Sequence, residues 1–82
     1  MNEKIRQVIA QHARLGVDVA SLSDDADLYE AGMTSQASVN VMLGLEDAFD
    51  IEFPDRMLQR VVFASVSAIA AALDELGAEV AA

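Results

Sequence analysis

The chain has no cysteine and no tryptophan, and its 82 residues include only one proline, one tyrosine and three phenylalanines. The absence of cysteine excludes a disulfide framework, a thiolate metal site and a cysteine nucleophile. With so few aromatic residues, the core of a chain that is 54% hydrophobic must be mainly aliphatic, which suits packed helices. At this length we expect one small domain of the all-α class.

Positive charge is also scarce, because five Lys and Arg residues stand against 14 Asp and Glu residues, for a formal net charge of −9. Such a chain repels nucleic acid phosphates and anionic membranes, so we predict no nucleic acid partner, no membrane partner and protein partners with basic surfaces. The N-terminus lacks a signal-peptide layout, and no apolar run approaches the roughly 18 residues that span a bilayer. We expect a monomer in the cytoplasm.

The spacing of apolar residues predicts three amphipathic helices. The first starts near Asn2, a reasonable N-cap, and stops near Gly16; the second covers residues 35–49; the last follows Ser65, another plausible N-cap. A shorter helix is expected over residues 55–60, after the only proline. The long stretch between the first two helices shows no helical period and predicts a loop, and loops of that length are usually functional or partly structured.

The predicted second helix has two different faces. At 100° per residue, one arc faces the core with Val41, Met42, Leu45 and Phe49. The opposite side carries Gln36, Val39, Asn40, Leu43 and Asp47. Two of these outward residues are apolar with no evident core to enter, so they are either ordinary surface hydrophobics or a docking surface. Both interpretations stay open.

Catalytic and metal chemistry have few candidates. His12 is the only histidine and lies on the apolar stripe of the first helix, where a structural role is the more common one. The acids of residues 24–30 invite a calcium interpretation, but they lack the glycine and the terminal glutamate of a calcium loop. We therefore predict no dedicated metal site and no catalysis by the chain alone.

Ser35 is the most informative residue of the chain. It lies between a turn at Gly32 and the second helix, where unpaired backbone N–H groups and a partial positive charge favour an attached phosphate. Taken alone, a serine at a helix N-terminus is more often a cap. Its surroundings decide between the two interpretations.

Those surroundings resemble the acyl carrier protein family. The matching pieces are Asp27-Leu28-Tyr29, Gly32, the hydrophobic run over residues 39–45, Glu46-Asp47, Phe49 and Ile51-Glu52-Phe53-Pro54. The likeness covers about residues 3–76 and is strongest over residues 28–54. It implies a single carrier domain over residues 1–82, folded as a small four-helix bundle with a long first loop and a short third helix, and ending in a frayed tail over residues 77–82.

The resemblance implies that a phosphopantetheinyl transferase attaches a 4'-phosphopantetheine arm from coenzyme A to Ser35. The arm then carries an activated acid as a thioester between partner enzymes. The chain departs from the family's Asp-Ser-Leu motif at Thr34 and Gln36, and Ala37 and Asn40 replace acids that fatty acid carriers tend to have. Partners that read the fatty acid carrier through basic residues are expected to bind this chain poorly. We predict partner contacts at Thr34, Gln36, Val39, Asn40, Leu43 and Asp47.

A dedicated system is therefore the favoured interpretation. The chain is similar to stand-alone aminoacyl carrier proteins, which are loaded by ligases related to truncated seryl-tRNA synthetases and hand the amino acid to a downstream acceptor enzyme. Two alternatives remain open. One is an acyl carrier for a fatty acid, polyketide or peptide pathway. The other is an acidic helical interaction module without the arm, in which Ser35 is only a helix cap.

Overall fold

The computed structural model describes residues 2–13 and 15–77. They form three α-helices, α1 (Asn2–His12), α2 (Ser35–Phe49) and α3 (Val66–Glu75), and three 3₁₀ turns, Val19–Ser21, Asp55–Met57 and Arg60–Phe63. The predicted all-α class is confirmed. Within these ranges no helix has the length and apolar character that crossing a membrane requires. The tail that was predicted to fray lies, beyond Gly77, outside the described residues.

Helix α1 supplies one wall of the core. Ile5, Val8 and Ile9 are buried, as their spacing predicts. Asn2 is the first helical residue and not the cap, and the helix ends at His12, short of the predicted stop at Gly16. The prediction ran too far because the apolar period continues to Leu15, which packs against the core from the loop.

Helix α2 approaches α1 closely at Gly44. A Cβ atom at this position would lie 2.7 Å from Cδ2 of His12 and 2.9 Å from Cγ1 of Val8. The missing side chain thus lets the imidazole lie against the backbone of α2. The structural role predicted for His12 has a physical basis here, because its ring fills the contact between the two helices.

The remaining ends of the helices carry recognisable caps. Asp50 ends α2 in the left-handed conformation, with φ 53° and ψ 51°, and its N–H group donates to Glu46 O. Ser65 caps α3, as predicted, because its hydroxyl accepts the N–H of Ala68 at 3.0 Å. The bounds of α2 agree with the predicted range of 35–49.

The prediction of a short third helix over residues 55–60 is wrong in detail. Two 3₁₀ turns cover residues 55–57 and 60–63, separated by Leu58 and Gln59, and the backbone of Gln59 is extended with φ −126° and ψ 151°. The break lets both Met57 and Phe63 enter the core, each 5% exposed. Phe63 meets Phe53 edge-on, with ring centroids 5.3 Å apart. The described residues therefore contain three α-helices instead of four.

The long loop is fixed to α1 by one arginine. Arg6 donates to the backbone oxygen of Val19 at 2.7 Å and to Oδ1 of Asp24 at 2.6 Å. The Arg6 side chain is 23% exposed, so these charge-assisted bonds are partly shielded from water. Two points of the loop are thereby held to the same helix.

The same loop is also bound to the segment that leads into α3. The N–H of Leu28 donates to Ala64 O at 2.7 Å, and the N–H of Ser67 donates to Asp24 O at 2.9 Å. The side chain of Leu28 is fully buried. The loop is therefore a packed part of the fold, which explains how so long a connection keeps a defined course.

We predict that the two salt bridges differ in their effect on stability. Arg6→Ala removes a partly shielded pair and a bond to a backbone oxygen, so the free energy of unfolding should fall by about 1 to 2 kcal/mol. Arg56→Ala is the matched control, because its pair with Glu75 has side chains that are 64% and 56% exposed. That change should stay within about 0.5 kcal/mol. Urea unfolding followed by circular dichroism measures both, and equal losses would contradict the predicted role of Arg6.

Candidate functional site

The turn that leads into α2 is held by a carboxylate and a glycine. Asp27 accepts two successive backbone N–H groups, the nearer being that of Tyr29 at 2.9 Å. Gly32 has φ 121°, a region that favours glycine, which agrees with the turn predicted from the sequence. Met33 follows, buried to 3% exposure, and its N–H donates to Leu28 O at 3.0 Å. The turn thereby delivers the chain to α2 in one fixed position.

Ser35 is the first residue of α2, and Thr34 is its cap. The Thr34 hydroxyl accepts the N–H of Ala37 at 3.0 Å, and its backbone is extended with φ −86° and ψ 168°. Ser35 is exposed. Its hydroxyl thus lies beside the positive end of the helix while the capping bond is made by its neighbour. The hypothesis that Ser35 serves only as the cap is contradicted by this register.

Ser38, one turn further along α2, has its hydroxyl engaged locally. Its Oγ donates to Ser35 O at 2.6 Å. This short bond joins the first and second turns of the helix on the side of Ser35. The Ser38 hydroxyl is thus bonded within the helix, whereas Ser35 is exposed.

A cavity of about 250 Å³ lies beside Ser35 between α2 and the 3₁₀ turns. Its lining is mostly apolar and consists of Tyr29, Ser35, Ser38, Val39, Met42, Leu58, Gln59, Arg60 and Phe63. Val39 and Leu58 are about half exposed, at 49% and 46%, so they form an apolar edge around the opening. The cavity offers a small apolar recess next to an exposed hydroxyl.

One cation faces this recess. The Arg60 guanidinium carbon lies 3.9 Å from the centre of the Tyr29 ring. The contact is within the range of a cation–π interaction, which favours Arg over an aromatic face. Arg60 is the one charged residue among those that line the cavity.

The residues predicted to contact partners divide between two surfaces. Val39 belongs to the cavity beside Ser35. On the other side of α2, a groove of about 410 Å³ toward α1 is lined by Val8, Gln11, His12, Asn40, Leu43, Gly44, Asp47 and Ala48. Thr34 is occupied as the cap, and Gln36 is exposed on the first turn. The outward face of α2 is thus a ridge between two concave surfaces.

The ridge carries little charge. Glu46 and Asp47 are the only charged residues of α2. The Glu46 carboxylate accepts the backbone N–H of Phe53 at 2.9 Å, so it holds the loop after α2. Asp47 is exposed and lines the groove toward α1. The turns of α2 nearest Ser35 therefore present a neutral surface.

Two of the four acids that suggested a calcium site make contacts within the chain. Asp24 pairs with Arg6, and Asp27 holds the turn before α2. In residues 2–13 and 15–77, no three or more His, Asp or Glu side chains are grouped as a metal site would require. His12 lies in the groove toward α1 and is not part of the cavity beside Ser35.

Several residues of the cavity were not identified from the sequence. Tyr29, Leu58, Arg60 and Phe63 come from the loop and the 3₁₀ turns, where apolar residues follow no regular period. The nearest signal in the sequence was the family-like piece Ile51-Glu52-Phe53-Pro54. It did not indicate which side chains would reach Ser35.

Comparison with known proteins places this geometry in a family. The phosphopantetheine attachment site family matches residues 3–73. A curated aminoacyl carrier protein from Agrobacterium fabrum is 54% identical over 69 residues, which cover 84% of this chain and 83% of that protein.

The chain is also similar to solved structures of proteins from Agrobacterium tumefaciens. A carrier protein from Agrobacterium tumefaciens, in a crystal structure with an engineered Bradyrhizobium japonicum glycine:carrier protein ligase and AMP, has a TM-score of 0.88 and 50% identity. The match covers 90% of this chain and 99% of that one. A solution structure of an Agrobacterium tumefaciens protein has a TM-score of 0.75 and 47% identity, covering 96% and 95% of the two chains.

We predict that the cap register can be read from stability. Thr34→Ala removes the capping bond and should lower the free energy of unfolding by about 1 kcal/mol. Ser35→Ala leaves that bond in place and should change it by less than about 0.5 kcal/mol, as for an exposed position. Thermal and urea unfolding of the two variants beside the wild type provide the measurement. A larger loss for Ser35→Ala than for Thr34→Ala would show that the cap has been assigned to the wrong residue.

Proposed function

The chain belongs to the phosphopantetheine attachment site family and is a carrier protein, and on that premise we propose that Ser35 bears the arm and that the cargo is an amino acid. The resemblance predicted from the sequence is confirmed by the family match. Its cofactor is covalent 4'-phosphopantetheine, which supplies a thiol that holds an acid as a thioester. The protein is not itself an enzyme, since its part is to be loaded and to present the cargo.

The proposal for Ser35 rests chiefly on its exposed position at the start of α2, with the capping bond made by Thr34. The hydroxyl is free to attack the pyrophosphate of coenzyme A within a transferase, forming an Oγ–P bond and releasing the adenosine bisphosphate portion. The N-terminal end of α2 then stabilises the negative phosphodiester. The adjacent cavity gives an apolar part of the arm a surface to lie on.

Ser38 is the nearest competing hydroxyl. It lines the same cavity, but its Oγ donates to Ser35 O at 2.6 Å. Attack on a phosphate would cost that bond and would occur within the helix, one turn from its N-terminal end. Ser35 is therefore the better nucleophile by position.

The amino acid cargo is proposed from the relatives. The aminoacyl carrier protein from Agrobacterium fabrum shares 54% identity with this chain over 69 residues, and the carrier at TM-score 0.88 was crystallised with a glycine:carrier protein ligase. We accordingly propose three partners: a phosphopantetheinyl transferase, an amino acid:carrier protein ligase related to seryl-tRNA synthetases, and a downstream acceptor enzyme. The cytoplasm, where coenzyme A and ATP are at hand, is the proposed compartment.

The low charge of the outward face of α2 supports a dedicated ligase over a fatty acid pathway. Val39 and Leu43 are 49% and 52% exposed and face away from the core. Asp47 is the one acid of α2 that is exposed. A partner selected for a row of acids would find few of them, whereas an apolar ligase surface gains contact area here. Together with Thr34, Gln36 and Asn40, these residues form the proposed partner surface.

We predict that the protein gains one phosphopantetheine arm on incubation with coenzyme A, magnesium and a broad-specificity transferase. Intact mass followed by peptide mapping should place the arm on Ser35. Ser35→Ala should gain none, because the nucleophile is missing, while its fold is unchanged by circular dichroism. Ser38→Ala is the matched control and should still be modified. An arm on folded Ser35→Ala protein would contradict the site, and no arm on folded wild type would contradict the proposed modification itself.

We also predict that the ligase binds the ridge of α2. Val39→Glu or Leu43→Glu should weaken its affinity for the carrier by about tenfold or more, because each buries a charge in an apolar contact. Val17→Glu is the control, since Val17 is similarly exposed at 47% but lies in the loop after α1. Isothermal titration calorimetry of an amino acid:carrier protein ligase with each variant measures the affinities. Equal effects at all three positions would contradict a localised surface.

A further inference from the structure

The proposed carrier function assigns no role to Arg60. It lies over the Tyr29 ring at 3.9 Å, and both residues line the cavity that Ser35 shares. Among the other arginines that the structure describes, Arg6 pairs with Asp24 and Arg56 pairs with Glu75, and neither lines this cavity. A positive charge thus stands in a recess that is mostly apolar and otherwise uncharged.

The face of Tyr29 is the natural binding site for a cation in this recess. The negative charge of an aromatic face attracts an ammonium group as well as a guanidinium. An aminoacyl thioester bears such an ammonium, and a flexible arm rooted at Ser35 can fold back toward the cavity. Arg60 already covers the ring face, so the cargo would have to displace one cation and remain beside it. Like charges at short range in a partly desolvated recess repel each other.

We propose that Arg60 is a specificity-determining residue that keeps an ammonium-bearing cargo out of the cavity beside Ser35. The inference rests on the proposed function, in that it takes an aminoacyl thioester on Ser35 as its starting point. Arg60 blocks the cargo by occupying the Tyr29 face and by repelling a second positive charge. The cargo therefore stays in water, where the acceptor enzyme can reach it. A neutral acyl group meets no such repulsion and enters the recess.

A comparison of two cargoes of similar size distinguishes an effect of charge from an effect of size. Glycyl and propionyl groups differ by one substitution, an ammonium in glycyl for a methyl in propionyl. Each is loaded on the arm of wild type, Arg60→Met and Arg60→Lys, and every sample is checked by intact mass. The measurements are made near about pH 6, below the ordinary pKa range of an α-amino group, so that the ammonium stays charged. The Met42 methyl and Tyr29 ring signals in nuclear magnetic resonance spectra report entry into the cavity.

In wild type, we expect propionyl to shift these signals relative to the unloaded arm and glycyl to leave them in place. In Arg60→Met, glycyl should shift them too, and its spontaneous thioester hydrolysis should slow by about two- to fivefold, the range that an exposed cation–π contact supplies. Arg60→Lys should restore the wild-type behaviour, because the charge is restored. A purely steric effect would change both cargoes alike and would overturn the proposal.

The remaining outcomes are equally decisive. Glycyl signals and hydrolysis rates that match between wild type and Arg60→Met would overturn the role of Arg60 while leaving the carrier function intact. Glycyl that shifts the cavity signals in wild type would do the same. A folded wild type that accepts no arm would overturn the proposed function and this inference with it. The circular dichroism spectrum of each variant shows that the fold is kept, which the exposed position of Arg60 favours.

Discussion

The attachment of the long loop to the helices is the constraint on which the Ser35 end of the molecule depends. Arg6 binds it at two points, and Leu28 is both buried and bonded through its N–H to Ala64. These contacts come from α1 and from the segment before α3. The loop is therefore packed against both. The turn at Gly32 starts from this fixed base, and the first turn of α2 is held in one position relative to the cavity.

At the start of α2, three neighbouring hydroxyl groups have separate roles. Thr34 completes the helix end, Ser38 bonds to the first turn, and Ser35 stands between them, exposed. If Ser35, the proposed nucleophile, also made the capping bond, its modification would remove that bond from the helix end. Because Thr34 makes the capping bond, an arm attached at Ser35, as proposed, leaves that bond in place. The capping bond can therefore be the same with and without the arm.

Much of this arrangement could be predicted from the sequence, where one strong local pattern was present. The bounds and both faces of α2 follow from its period. Ser65 could be predicted as a cap because it comes directly before the apolar period of α3. The register at Thr34 and Ser35 could not be resolved, because both residue types cap helices well and stand next to each other. The two 3₁₀ turns were also missed, since a few apolar residues in a short segment fit several periods. The contact of Arg60 with Tyr29 joins two irregular segments, and no local rule brings them together.

The basic side chains of the described residues each have a contact within the chain. Lys4 lies over Phe49, Arg6 and Arg56 pair with acids, and Arg60 covers Tyr29. With 14 acids against five Lys and Arg residues, the protein acts toward its surroundings as an anion. Copies of the protein repel one another over about 8 Å at physiological ionic strength. The same net charge that repels anionic partners thus also opposes self-association of the protein.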